Sequence, residues 1–104
     1  MINILLNTKS EKRVILNVIG HTDRNICIAI SALTNCIVQY AEDYQRENQC
    51  KLNSEYDRGN VSLNLEFENE LAKAEFLKGI DAIINGFELY RSNFEDNIKI
   101  NYIA

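Results

Sequence analysis

Two side chains in this sequence have the types and spacing for bond-breaking chemistry. His21, the only histidine, stands six positions before Cys27, one of three cysteines. His21 follows the β-branched run Val14 to Ile19 and then Gly20, where a strand is expected to end. Cys27 falls in the first turn of a helix expected from Ile26. Unpaired N–H groups and the positive end of the helix dipole favour a thiolate at such a place. An imidazole beside it can take up and return protons. Together these are the ingredients of a Cys–His nucleophilic pair. The sulfur attacks a carbonyl carbon, the histidine moves protons, and helix-start amides hold the oxyanion. Ser31, four residues after Cys27, shares its helix face. Residue type alone favours blander roles, since a cysteine in an apolar helix is more often a small core residue and a loop-edge histidine is usually solvated.

Other chemistry is less well supported. A zinc site needs four ligands, and His21, Cys27, Cys36 and Cys50 supply a nominal set. Residues 27 and 36 lie about 180° apart around a helix, however, so their sulfurs point opposite ways. No metal or other cofactor is expected. Cys36 reads as buried filler and Cys50 as a strand-start residue. Glu66, Glu68 and Glu70 at period 2 read as a solvated edge at a strand–helix junction, and Tyr40 and Tyr44 as core-edge packing. The four glycines are isolated, so no loop cradles phosphate. Asp23 is the nearest candidate for a third catalytic group.

The elements that must position these residues follow from hydrophobic periodicity. Ile2, Ile4 and Leu6 alternate with Asn3, Leu5 and Asn7 as one strand, and Val14 to Ile19 forms a second. From Ile26 the period changes: Ile26, Ile30, Leu33, Ile37, Tyr40 and Tyr44 form one stripe on a helix of about 20 residues. Asn25 is its expected N-cap. Cys50 to Asn53 reads as a short, weak strand, and Tyr56 to Asn60 as a turn. Val61, Leu63, Leu65 and Phe67 mark the cleanest half-buried strand. A second helix, Glu68 to about Ser92, carries the stripe Phe76, Ile80, Ile83, Phe87 and Tyr90. Its Gly79 and Gly86 offer room for close approach of another element. Ile98, Ile100 and Tyr102 make a closing strand. The order β-β-α-β-β-α-β predicts an α+β two-layer sandwich, a mostly antiparallel sheet with two helices on one face. The other sheet face carries Asn, Lys and Glu with some leftover Ile, a surface suited to dimerisation.

At 104 residues the chain has room for one domain, spanning 1–104. Its net charge of −4 disfavours non-specific nucleic-acid binding, because phosphate contacts need a cationic surface. Hydrophobic residues at 46% and charged residues at 25% suit a globular protein and argue against disorder. No stretch approaches the roughly 20 apolar residues that cross a bilayer, so no membrane role is expected. The N-terminal residues lack a basic region and a long apolar run, so a cytoplasmic location with reduced thiols is expected.

The stretch from Gly20 to Leu33 resembles the signature of the ribosomal-processing cysteine protease (Prp) family. That family carries Gly-His-Ala at a strand end, a glycine-rich loop, then Asp-Ile-Val-Cys-Ala-x-x-Ser-Ala at a helix start. Gly20-His21 matches the first block and Asn25-Ile26-Cys27-Ile28-Ala29-Ile30-Ser31-Ala32-Leu33 the second. The segment Phe94 to Tyr102 is similar to the family's closing strand, so the resemblance spans nearly the whole chain. It implies Cys27 as nucleophile, His21 as general base, and Ser31 and Gly20 at the substrate, with Ser31 either a polar wall of the site or a helix serine bonded back to a carbonyl, and Gly20 letting the backbone bend ahead of His21. It also implies a cysteine endopeptidase acting on an extended peptide with large apolar groups near the scissile bond, and a homodimer. Family members in low-GC Gram-positive bacteria remove an N-terminal extension from a large-subunit ribosomal protein, while phage-borne relatives would trim capsid or scaffold proteins. The chain departs from the pattern at Thr22 (Ala in the family), Asn25 (Asp) and Ile28 (Ala). Its five-residue loop between His21 and Cys27 is shorter and lacks Gly. A non-catalytic dimeric binding or assembly module on the same scaffold is the alternative.

Overall fold

The computed structural model describes residues 1–104. Strand β1 (Ile2–Asn7) and strand β2 (Arg13–Gly20) precede helix α1 (Arg24–Glu47). Strands β3 (Cys50–Asp57) and β4 (Asn60–Phe67), helix α2 (Glu70–Asn93) and strand β5 (Ile98–Ile103) complete the chain. One sheet takes the order β3-β4-β2-β1-β5. Every pair is antiparallel except β1–β5, which is parallel, with Ile2 opposite Ile98. This is the expected α+β arrangement.

The period-2 alternation decides which sheet face is buried. Ile2, Ile4 and Leu6 of β1, Val14, Leu16 and Val18 of β2, and Val61, Leu63, Leu65 and Phe67 of β4 are buried together. Phe76, Ile80 and Phe87 of α2 cover them, as do Ile26, Ile30, Ile37, Val38, Ala41 and Tyr44 of α1. All 20 buried apolar residues form one cluster. The predicted stripe on α1 is rotated slightly in the structure. Thr34, Val38 and Ala41 are buried, whereas Leu33 and Tyr40 are half-buried at its flank. That flank meets the second helix: a Cβ at Gly79 would run into the Tyr40 hydroxyl, and one at Gly86 would lie 3.1 Å from Leu33 Cδ2. The two glycines thus allow the close approach of the helices. Cys36 is exposed rather than buried, because it falls outside this rotated stripe.

Strand β3 is twice as long as its hydrophobic pattern implies. Only Cys50 and Leu52 are half-buried, and the rest, including Tyr56, is exposed. An edge strand is held chiefly by backbone pairing, here from Cys50 opposite Phe67 to Asp57 opposite Asn60. The connection is a two-residue turn with positive φ at both Arg58 (48°) and Gly59 (86°). Those signs define the type I′ hairpin, whose twist matches the flanking strands. On the uncovered face, Leu5 and Ile15 are half-buried and Ile19 is exposed, and the Ser62 hydroxyl donates to Asn17 Oδ1 at 2.8 Å. No helix is long and apolar enough to cross a membrane.

Candidate active site

The site forms where the end of β2 passes into α1. The helix starts two residues earlier than the apolar stripe indicates, at Arg24. Its N-cap is Asp23 rather than Asn25: Asp23 Oδ1 accepts from the Asn25 N–H at 2.9 Å. The Asp23 carbonyl accepts the first helical bond, from the Cys27 N–H, at 2.9 Å. Arg24 and Asn25 are exposed and carry no periodic signal, so the first turn was invisible to hydrophobic spacing. Two consequences follow. Asp23 Oδ1 is engaged in capping, so the carboxylate anchors the start of the helix. The Cys27 amide is also engaged, so its N–H is not free for an oxyanion.

The linker therefore shortens to residues 21–23, and it is tied at several points. Gly20 adopts φ +111°, and its N–H donates to Asn60 Oδ1 at 3.0 Å. A Cβ at Gly20 would overlap the Met1 carbonyl oxygen, so the bend requires glycine on grounds of both space and torsion. The Met1 amino group donates to the His21 carbonyl at 2.7 Å. Asn97, in the turn before β5, donates from Nδ2 to the Thr22 hydroxyl at 2.6 Å, and its carbonyl accepts from the Ile2 N–H at 2.8 Å.

Cys27 is half-buried and its sulfur rests against the Thr22 peptide. The Thr22 N–H donates to Sγ at 3.3 Å, and the thiol donates to the Thr22 carbonyl at 3.4 Å. Cys27, His21, Gly20 and Ser31 all border one small cavity of about 40 Å³, together with Ile2, Val18, Ile30 and Gly59. The four residues singled out by sequence are thus brought together. His21 is exposed and its ring makes no hydrogen bond in this state; a Cβ at Gly59 would sit 3.3 Å from its Cε1 atom. The tip of the β3–β4 hairpin consequently forms one wall beside the imidazole. Ser31 is exposed and does not bond back to a helix carbonyl; Thr34 does so instead, at 2.7 Å to Ile30 O. A second cavity of about 220 Å³ continues from the first through Val18, Ser31 and Gly59 to Thr34, Asn35, Tyr56 and Val61. The two make an interrupted groove between α1 and the hairpin tip, with the sulfur at one end.

Sequence reasoning missed Asn60, Asn97, Gly59 and the Thr22 peptide. The turn chemistry of Gly59-Asn60 was visible, but its position was not. It meets His21 only because Val18 pairs with Val61 across β2 and β4. Asn97 carries no signal beyond its place ahead of a strand. No group of His, Cys, Asp and Glu is arranged to hold a metal ion.

Comparison with solved structures finds this fold elsewhere. A ribosomal processing protease Prp from S. aureus, in complex with a covalently linked product peptide, superposes with a TM-score of 0.65 at 18% identity, covering 98% of this chain and 99% of that one. The same protease in complex with a substrate peptide gives a TM-score of 0.66 at 16% identity with the same coverage. SMU.848 from Streptococcus mutans gives 0.62 at 15% identity, covering 99% of this chain and 94% of that one. No protein-family model matches the chain. No curated protein matches it.

Proposed function

We propose that this chain is a cysteine endopeptidase of the Prp type, acting in the cytoplasm with Cys27 as nucleophile and His21 as general base. The observation that carries the reading is the convergence of Cys27, His21, Gly20 and Ser31 on one cavity at a strand-to-helix junction. The shared fold with a protease seen bound to peptides supports the same reading. The chemistry runs in two balanced halves. His21 takes the Cys27 proton as Sγ bonds to the scissile carbonyl carbon. The C–N bond then breaks, His21 returns the proton to the leaving amine, and a thioester remains. Water attacks the thioester with His21 as base, releasing a carboxylate and restoring the thiol. The groove running on past Ser31 to Tyr56 suits an extended peptide. Its Val18 and Val61 walls favour an apolar side chain, and Ser31 lies at the junction of the two cavities. The substrate class we infer is an N-terminal extension of a large-subunit ribosomal protein or a segment of a phage capsid or scaffold protein. A homodimer through the uncovered sheet face fits the same reading.

The test is mass spectrometry of such precursor peptides incubated with purified protein. Wild type should yield defined products and Cys27→Ala none, while His21→Ala should slow cleavage by about 10²–10⁴-fold. Equal cleavage by Cys27→Ala would overturn the assignment. One observation favours the second reading, a non-catalytic binding module: the cavity at the sulfur holds only about 40 Å³ and its linker is tied shut. Peptide binding without cleavage by any concentration of wild type would select that module.

A further inference from the structure

We infer that Asn97 is a positioning residue for Cys27, acting through Thr22 to keep a peptide N–H aimed at the sulfur. This rests on the reading of Cys27 as a nucleophile, but its test needs no substrate.

The chain of contacts is continuous. Asn97 is anchored by its own backbone, with its carbonyl on the Ile2 N–H and its N–H on the Phe94 carbonyl at 2.9 Å. Its amide Nδ2 reaches the Thr22 hydroxyl at 2.6 Å, 75 residues away in sequence. Thr22 presents both its N–H and its carbonyl to Cys27 Sγ, at 3.3 and 3.4 Å. The two contacts work in opposite directions: the N–H stabilises a thiolate, and the carbonyl can accept only from a thiol. The first is charge-assisted once the sulfur ionises, whereas S–H is a weak donor. A rigid Thr22 therefore keeps this N–H against the sulfur. The loop is only three residues long: the peptide that carries the Thr22 N–H is held at its carbonyl by the Met1 amino group, and Asn97 holds the Thr22 side chain next to it. Besides Cys27, the only titratable group bordering the cavity is His21. Asp23 from the linker is committed to the helix cap, and the Met1 amino group to the His21 carbonyl.

The experiment is iodoacetamide alkylation of the intact protein from pH 5 to 10, with each cysteine read separately by peptide mass mapping. Exposed Cys36 is the internal control. Asn97→Ala and Thr22→Val should each slow Cys27 alkylation about three- to tenfold at pH 7, the weight of one such hydrogen bond. The rate at pH 10 and the Cys36 profile should stay unchanged. Thr22→Ser, which keeps the hydroxyl, should retain the wild-type profile, and the double variant should be no slower than either single one. Should Asn97→Ala lower the thermal midpoint, Thr22→Val provides the same test from the other side of the bond. A Cys27 profile that does not move in either variant overturns the inference, as does a rate that rises equally at every pH, which would make Thr22 a shield rather than a support. Neither result touches the cleavage assay, so failure here and failure of the protease reading remain separable.

Discussion

Replacing Gly20 by alanine should damage fold and site together. At φ +111° this residue lies beyond the left-handed region near +57° that other residues visit at modest cost. Holding alanine there costs about 1–3 kcal/mol. Its Cβ would also overlap the Met1 carbonyl oxygen, which is backbone at the mouth of β1 and cannot rotate away like a side chain. Forcing the chain apart adds about 1–3 kcal/mol, the usual range for overpacking. The total, about 2–6 kcal/mol, is a large part of the 5–15 kcal/mol typical of a small domain. At about 4–8 °C per kcal/mol, the midpoint of thermal unfolding should fall by roughly 8–48 °C. Circular dichroism melts and urea titrations measure this directly. If the proposed protease reading holds, the displaced His21 should lower peptide cleavage on the order of 100-fold at temperatures where the variant is still folded, the expected effect of an ångström-scale misplacement. A loss of less than about 1 kcal/mol would refute the reasoning, because it would mean that β1 and the His21 linker do not meet as tightly as the structure places them.

Two further outcomes can be measured on the same material. Asp23→Ala should lower the urea-derived stability by about 1 kcal/mol through loss of the α1 cap. Asn25→Ala should stay within about 0.5 kcal/mol of wild type, and the reverse ranking would restore Asn25 as the cap. The second concerns the pair Glu88–Tyr102, joined by a 2.6 Å hydrogen bond from the tyrosine hydroxyl. That bond, aided by Arg91 and opposed by partial burial, holds the Glu88 carboxyl below its usual value of 4.5. Partial burial, followed by the bond to Glu88 and its negative charge, pushes Tyr102 up to about 12. Stabilisation from the lowered carboxyl is present above its ordinary pKa and lost as pH falls through the folded value. Stabilisation from the raised phenol is complete below about 10 and lost as pH rises through the folded value. Tyr102→Phe should therefore cost stability between about pH 5 and 10 and converge on wild type at both extremes. Tyr102 is 51% exposed, so the difference should stay below about 1 kcal/mol. A constant offset across the whole pH range in urea titrations would show that the ring, not the hydroxyl, matters.

Both helices and all five strands were legible, because burial on one face only imposes period 2 or 3.6 on the residue pattern. The errors fall where that pressure is absent. The first turn of α1 opens on two polar residues, so hydrophobic spacing marks neither its start at Arg24 nor its cap at Asp23. Strand β3 is an edge with little to bury, so half of it was missed; its length is decided by pairing with β4. The rotated stripe on α1 left Cys36 exposed, since the helix turns to meet Gly79 and Gly86 of α2 as well as the sheet.

For the candidate site the division is similar. The residue types of His21, Cys27, Ser31 and Gly20, and their order along one strand–turn–helix unit, are local facts that any reader of the chain can recover. What encloses them is not local. Asn60 reaches Gly20 from 40 residues away and Asn97 reaches Thr22 from 75. These approaches exist only because β4 pairs with β2 and β5 with β1 in one register. Sequence by itself determined which side chains are available for chemistry, through type and spacing. Tertiary structure alone decided which peptide faces the sulfur and how small the cavity around it is, because hydrogen bonds between distant segments depend on the register of the five-stranded sheet and leave no periodic trace in the chain.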